Sequence, residues 1–148
     1  DYTQKINKGQ RARALYSTLS EKMRDDKIVF IDALTLATPK TTEAKAILSS
    51  LSGIDTKYTD IATRRRNAVL IALPETNTAI LKSFANMGNV EVIKTQDLNP
   101  VMVMTYKYLV MAEPESGSKV LEARTAKSGK TAAHITAKTA TKKATATK

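Results

Sequence analysis

Three carboxylates, Asp32, Asp97 and Glu113, fall at the ends of segments that read as strands. In an α/β fold that is where a paired acid and base, or a set of magnesium ligands, would have to stand. Isolated carboxylates in such places far more often cap helices or form turns, and nothing else in the sequence completes a catalytic constellation. The only histidine, His134, lies in a polar C-terminal tail, and cysteine is absent. A triad-type base, a thiolate nucleophile and a metal site built from histidine or cysteine are therefore excluded from the body. No G-x-G-x-x-G or G-x-x-x-x-G-K-[ST] run follows a strand, so the usual glycine-rich approach of phosphate to a helix N-terminus is missing. The expectation is a protein with no catalysis, no cofactor and no small-molecule substrate.

What the sequence does offer in quantity is positive charge: 24 Lys and Arg against 14 Asp and Glu, a formal net charge of +10 over 148 residues. Ammonium and guanidinium groups neutralise phosphates and release condensed counterions, and arginine also pairs bidentately with phosphate or stacks on bases. The cations fall into three patches. Lys5, Lys8, Arg11 and Arg13, with Asn7 among them, lie along the first helix and its approach; Arg64, Arg65 and Arg66 are consecutive; and Arg124, Lys127, Lys130, Lys138, Lys142, Lys143 and Lys148 punctuate an Ala- and Thr-rich tail that has no carboxylate. All are candidate RNA-binding residues. The plain alternatives are a solvated helix face, an idle loop tip and a tail that only aids solubility. Tyr106, Tyr108, Met102, Met104 and Met111 read as core or rim packing rather than base-stacking platforms.

The tail from residue 124 to 148 holds one large hydrophobe, Ile135. Alone it is expected to be disordered, and to order on RNA. A nucleoid or chromatin-like DNA-binding protein would use such a tail similarly, and a small α/β enzyme on an anionic substrate is the third possibility. The longest apolar stretches, near Ala68–Leu73 and Val101–Val103, are too short for a bilayer core of about 30 Å, so no membrane partner is expected. The chain begins at Asp1 in a segment that reads as the middle of something, and upstream sequence is expected.

These residues must be positioned by a scaffold, and the pattern of apolar residues sketches one. Lys5 to Arg24 reads as a helix with Leu15, Leu19 and Met23 on the packed face and Arg11, Arg13 and Lys22 turned elsewhere. Lys27 to Asp32 reads as a strand covered on both faces. Thr38–Thr41 opens a second helix with core face Ala44, Ile47, Leu48 and Leu51, ended by Gly53 in a left-handed turn. Asp55 to Asn67 reads as a polar connection that projects from the body. Ala68–Leu73 is a strand stopped by Pro74; Thr76 or Asn77 caps a short helix using Ile80, Leu81 and Phe84 that ends near Gly88. Val90–Lys94 is a third strand. Asn99 and Pro100 supply an N-cap and a first helical residue for a short helix over Val101–Tyr106, Lys107–Met111 is the last strand, and Glu113–Ser118 breaks the chain before Val120 and Leu121. Strands alternating with helices predict an α/β fold, a three-layer α/β/α arrangement around a mostly parallel sheet, with a domain over residues 1–123 and a basic tail over 124–148.

The order and spacing of several segments resemble the bacterial-type members of the large-subunit ribosomal protein uL4 family, in the later half of its chain. The segments are Gln4–Lys8, Arg11–Leu15 and Ser17–Glu21, then Ile28–Phe30 and Ala37–Thr41, and finally Asn86, Asn89–Val92, Leu98–Pro100 and Lys107–Met111. The resemblance covers roughly residues 1 to 112. It implies an α/β/α domain that binds 23S-type ribosomal RNA, supports assembly of the large subunit beside neighbouring ribosomal proteins, and is not an enzyme. It also implies a cytoplasmic ribosome, bacterial or else organellar. The family's long basic loop and first strand and helix have no counterpart here. The stretch around Thr56 to Arg66 resembles a local insertion, so its arginines and the tail inherit no role from the family.

Overall fold

The computed structural model describes residues 4–124. Helix α1 (Lys8–Arg24) leads to β1 (Ile28–Ile31), α2 (Thr41–Ser52), a single 3-10 turn (Thr56–Tyr58), α3 (Asp60–Thr63) and β2 (Val69–Leu73). There follow α4 (Thr78–Phe84), β3 (Val90–Lys94), a second 3-10 turn (Thr95–Asp97), α5 (Pro100–Thr105) and β4 (Tyr108–Ala112), then a helix over residues 114–124, here α6. The four strands form one all-parallel sheet in the order β1-β4-β2-β3.

Side chains alternate across a strand, and the sheet divides its apolar residues accordingly. Val69, Ile71, Leu73, Tyr108, Val110 and Ala112 face α2, α3 and α4, meeting Leu48, Ile61, Ile80 and Phe84. Leu70, Ala72, Leu109 and Met111 face the other way, onto Leu15 of α1, Val103 of α5 and Leu121 of α6. The result is the three-layer α/β/α fold. β2 and β4 are buried along their whole length, as their unbroken apolar runs require when both faces are covered.

The short helices are set by local chemistry. Asn77 Oδ1 accepts from the Ala79 N–H at 2.9 Å and Asn99 Oδ1 from the Met102 N–H at 2.8 Å, each satisfying a donor that has no partner within its helix. Pro100 follows Asn99 at the first helical position, where no N–H is needed.

Several expectations are corrected. β1 is an edge strand, and only Val29 is buried; Phe30 is 47% exposed. In α1, Leu15 is buried and Leu19 packs against the core, but Met23 is exposed and Lys22 is drawn inward. Lys22 is seven residues from Leu15, a rotation of about two turns, so the two lie on nearly the same line of the helix. Gly53 is right-handed, φ −84°, its N–H bonding the Ser49 and Ser50 carbonyls at 3.1 Å in a tightened last turn. The segment from 55 to 67 does not project: Ile61 is fully buried and Tyr58 packs on the same cluster. Met104, expected in the core, is 70% exposed.

The expected break at Glu113–Ser118 is instead the start of α6. Glu113 turns the chain with φ 49°, and Gly117 is buried, where a Cβ would meet Met111 Sδ at an ordinary contact distance of 3.4 Å.

Candidate nucleic-acid interface

At the start of α1, the Asn7 N–H donates to Gln10 Oε1 at 3.2 Å, and Arg11 Nη2 donates to the Ile6 carbonyl at 3.2 Å. Asn7 is the N-cap residue, so its place is explained by the helix it starts. Lys5, Lys8, Arg11 and Arg13 are all exposed. No acidic partner holds Lys5, Lys8 or Arg13 among the described residues.

Arg64, Arg65 and Arg66 follow α3 directly and are exposed. Their turn is pinned from two sides: Arg64 Nε donates to the Arg66 carbonyl at 3.0 Å, and Asn89 Nδ2 donates to the Arg64 carbonyl at 3.0 Å. Asn67, next in line, adopts φ 50°, and its carbonyl accepts from the Lys107 N–H at 3.0 Å. The arginine turn is thereby fixed at the amino ends of β2, β3 and β4.

Further cations gather there that sequence reasoning did not single out. Lys27 precedes β1, and its carbonyl accepts from the Leu109 N–H at 2.9 Å; Lys107 precedes β4. Lys22 Nζ donates to the Lys107 carbonyl at 2.7 Å and also to the Tyr106 carbonyl. Burial, reinforced by Lys27 and Arg64, lowers the Lys22 ammonium to about 8, with Asp25 opposing. Three carboxylates answer the lysines. Asp25 takes Lys27 at 2.6 Å, Asp26 takes Lys57 at 2.8 Å, and Asp60 takes Lys107. The hydrogen bonds from these lysines hold Asp25 and Asp60 below the usual carboxylate range, and those to Asp26 and Asp60 raise Lys57 and Lys107. A sequence signal for this cluster exists: in a parallel sheet the residues just before each strand share one end.

The tyrosines are structural, as expected. Tyr108 is buried, donates to the Lys57 carbonyl at 2.7 Å and meets Tyr58 edge-on at 5.8 Å. Tyr106 donates to Glu91 Oε2 at 2.7 Å, and burial first, then Glu91, pushes its phenol up to about 12. Of the tail candidates only Arg124 is described; it belongs to α6, and its Nη1 donates to the Leu98 carbonyl at 2.9 Å. Lys127, Lys130, Lys138, Lys142, Lys143 and Lys148 lie outside the described residues, as does His134.

The carboxylates at the strand ends do not assemble. Glu113 lines a cleft of about 560 Å³ with Glu75 and Asn77, Asp97 lines a different depression, and Asp32 is exposed and lines neither. Among the described residues no group of three or more His, Asp or Glu could hold a metal ion. No helix among them is long and apolar enough to cross a membrane.

A family model described as the ribosomal protein L4/L1 family matches residues 1–124. The large ribosomal subunit protein uL4 of Campylobacter hominis is 31% identical over 111 residues, 75% of this chain and 48% of that protein. The uL4 of Magnetococcus marinus is 32% identical over 113 residues, covering 76% and 49%, and that of Aquifex pyrophilus 34% over 112 residues, covering 75% and 51%. The chain spans about half the length of the curated relatives it matches. It belongs to the ribosomal protein L4/L1 family, a structural and non-enzymatic family.

Proposed function

We propose that this chain is a structural constituent of the large ribosomal subunit, working on cytoplasmic ribosomes, that binds 23S-type ribosomal RNA and supports subunit assembly beside neighbouring ribosomal proteins. Its relatives are named as large-subunit proteins, which supports the setting. The observation that carries the RNA reading is that Lys5, Lys8 and Arg13 at the start of α1 and Arg65 and Arg66 after α3 are exposed and have no carboxylate partner among the described residues, as is also true of the more scattered Lys45, Lys82 and Lys119. Such groups have no role in holding the fold and are free to neutralise phosphates. The cations from Lys127 to Lys148 add a third contact, and the domain is proposed to run one residue past the expected 1–123, because Arg124 belongs to α6 and bonds Leu98.

The test is sedimentation with large ribosomal particles. The chain should travel with them at low salt and be released as salt rises; equal capture by plain duplex DNA in competition would favour the nucleoid alternative and defeat this reading.

A further inference from the structure

We propose that the amino-terminal rim of the sheet is a preformed dock for the phosphate backbone of structured RNA, in which the Arg64–Arg66 turn and the lysines that precede β1 and β4 act as one site. This rests on the ribosomal RNA reading above and names a contact within it.

The rim is one surface because hydrogen bonds tie its parts together. Lys107 is bound through its backbone to Asn67 at 3.0 Å and through its carbonyl to Lys22 at 2.7 Å. Lys27 is joined to β4 through Leu109 at 2.9 Å, and Lys57 through the Tyr108 hydroxyl at 2.7 Å. β1, β4 and β2 are consecutive in the sheet, and neighbouring strands lie about 4.8 Å apart. Lys27 and Lys107 immediately precede β1 and β4, and Arg66 stands three residues before β2, so the three cations border a row of adjacent strand starts roughly 10 Å long. A nucleic acid backbone, with a charge about every 1.7 Å of duplex axis, supplies a phosphate to each cation in such a row. An acidic protein would have to match that spacing with its own carboxylates.

The charges of the rim are of two kinds. Lys27, Lys57 and Lys107 each carry an aspartate, which fixes them but competes with phosphate. Arg65 and Arg66 have no acidic partner among the described residues and extend the row with guanidinium groups suited to bidentate phosphate binding. Lys22 is a positioning residue, since both carbonyls it bonds lie at the α5–β4 junction.

The test uses the full chain and a large-subunit ribosomal RNA fragment, with affinity measured from low to moderate salt. Changing Arg65→Gln and Arg66→Gln together should lower the log-log salt slope by two phosphate contacts, roughly 0.7–0.9 each. Arg65→Lys with Arg66→Lys should restore the slope. Asp60→Asn, which frees Lys107, should raise the slope by about one contact and tighten binding, whereas a purely structural ion pair would give no gain. An unchanged slope in the double glutamine variant, while Lys5→Gln with Lys8→Gln lowers it, overturns the rim and leaves the ribosomal RNA reading standing. Displacement of the RNA by polyglutamate at equal charge would assign the rim to an acidic protein and overturn it as well. A wild-type chain without salt-dependent binding overturns both.

Discussion

Replacing Ile61 with alanine separates a folded segment from an idle one. Ile61 is the one buried residue of α3, is fully buried, and sits in the cluster with Ala44, Leu48 and Leu51 of α2. Removing its side chain forfeits the transfer free energy of the lost methyl and methylene groups and leaves a cavity, together roughly 2–5 kcal/mol for such a substitution. Domains of this size are stable by only about 5–15 kcal/mol. With a urea dependence of about 2 kcal/mol per molar, the midpoint of unfolding should fall by roughly 1–2.5 M at unchanged slope. Circular dichroism during a urea titration measures this directly. A loss under about 0.5 kcal/mol, the ordinary cost of a surface change, would show that α3 is not packed and that the arginine turn has no fixed platform.

Asn99→Ala should cost about 1 kcal/mol by removing the cap on α5, seen as a lower urea midpoint; no change would mean that the Oδ1 bond to Met102 does not stabilise the helix. Lys22 loses its proton near pH 8 in the folded chain against 10.5 as its ordinary value, so the unfolded state binds more protons between those pH values. Stability should then rise with pH from about 8 to 10, above which the raised Tyr106 phenol opposes it, and Lys22→Met should flatten the rise; a fall between those values in the wild type would contradict the assignment. Deleting residues 125–148 should leave the melting temperature nearly unchanged while weakening RNA binding and its salt slope, whereas Arg124→Ala should lower stability by about 1 kcal/mol through the lost bond to Leu98.

Much of the fold is legible in the sequence where the signal is local. The runs at Val69–Leu73 and Tyr108–Ala112 are apolar throughout because both faces are covered, and Asn77, Asn99 and Pro100 mark helix starts by their own hydrogen-bonding chemistry. β1 is misread because an apolar run of four looks the same at the centre and at the edge, and strand order is not a local property. The segment around Ile61 is missed because a helix of four residues shows no period and carries a single buried side chain. Lys22 is misread because charge argues for solvent, although its position on the Leu15 line places it over the carbonyls of Tyr106 and Lys107. The arginine triplet is visible in the sequence; its union with Lys27 and Lys107 depends on strands that are distant in the chain and adjacent in the sheet.

The most direct measurement is ultraviolet crosslinking of the full chain to large-subunit ribosomal RNA, followed by mass spectrometry of the peptides. Ribonucleotide adducts should map to the peptides carrying Lys5 to Arg13 and Arg64 to Arg66, and diminish as salt is raised. Adducts absent from both, under conditions where control ribosomal proteins crosslink, would contradict attachment through these cations.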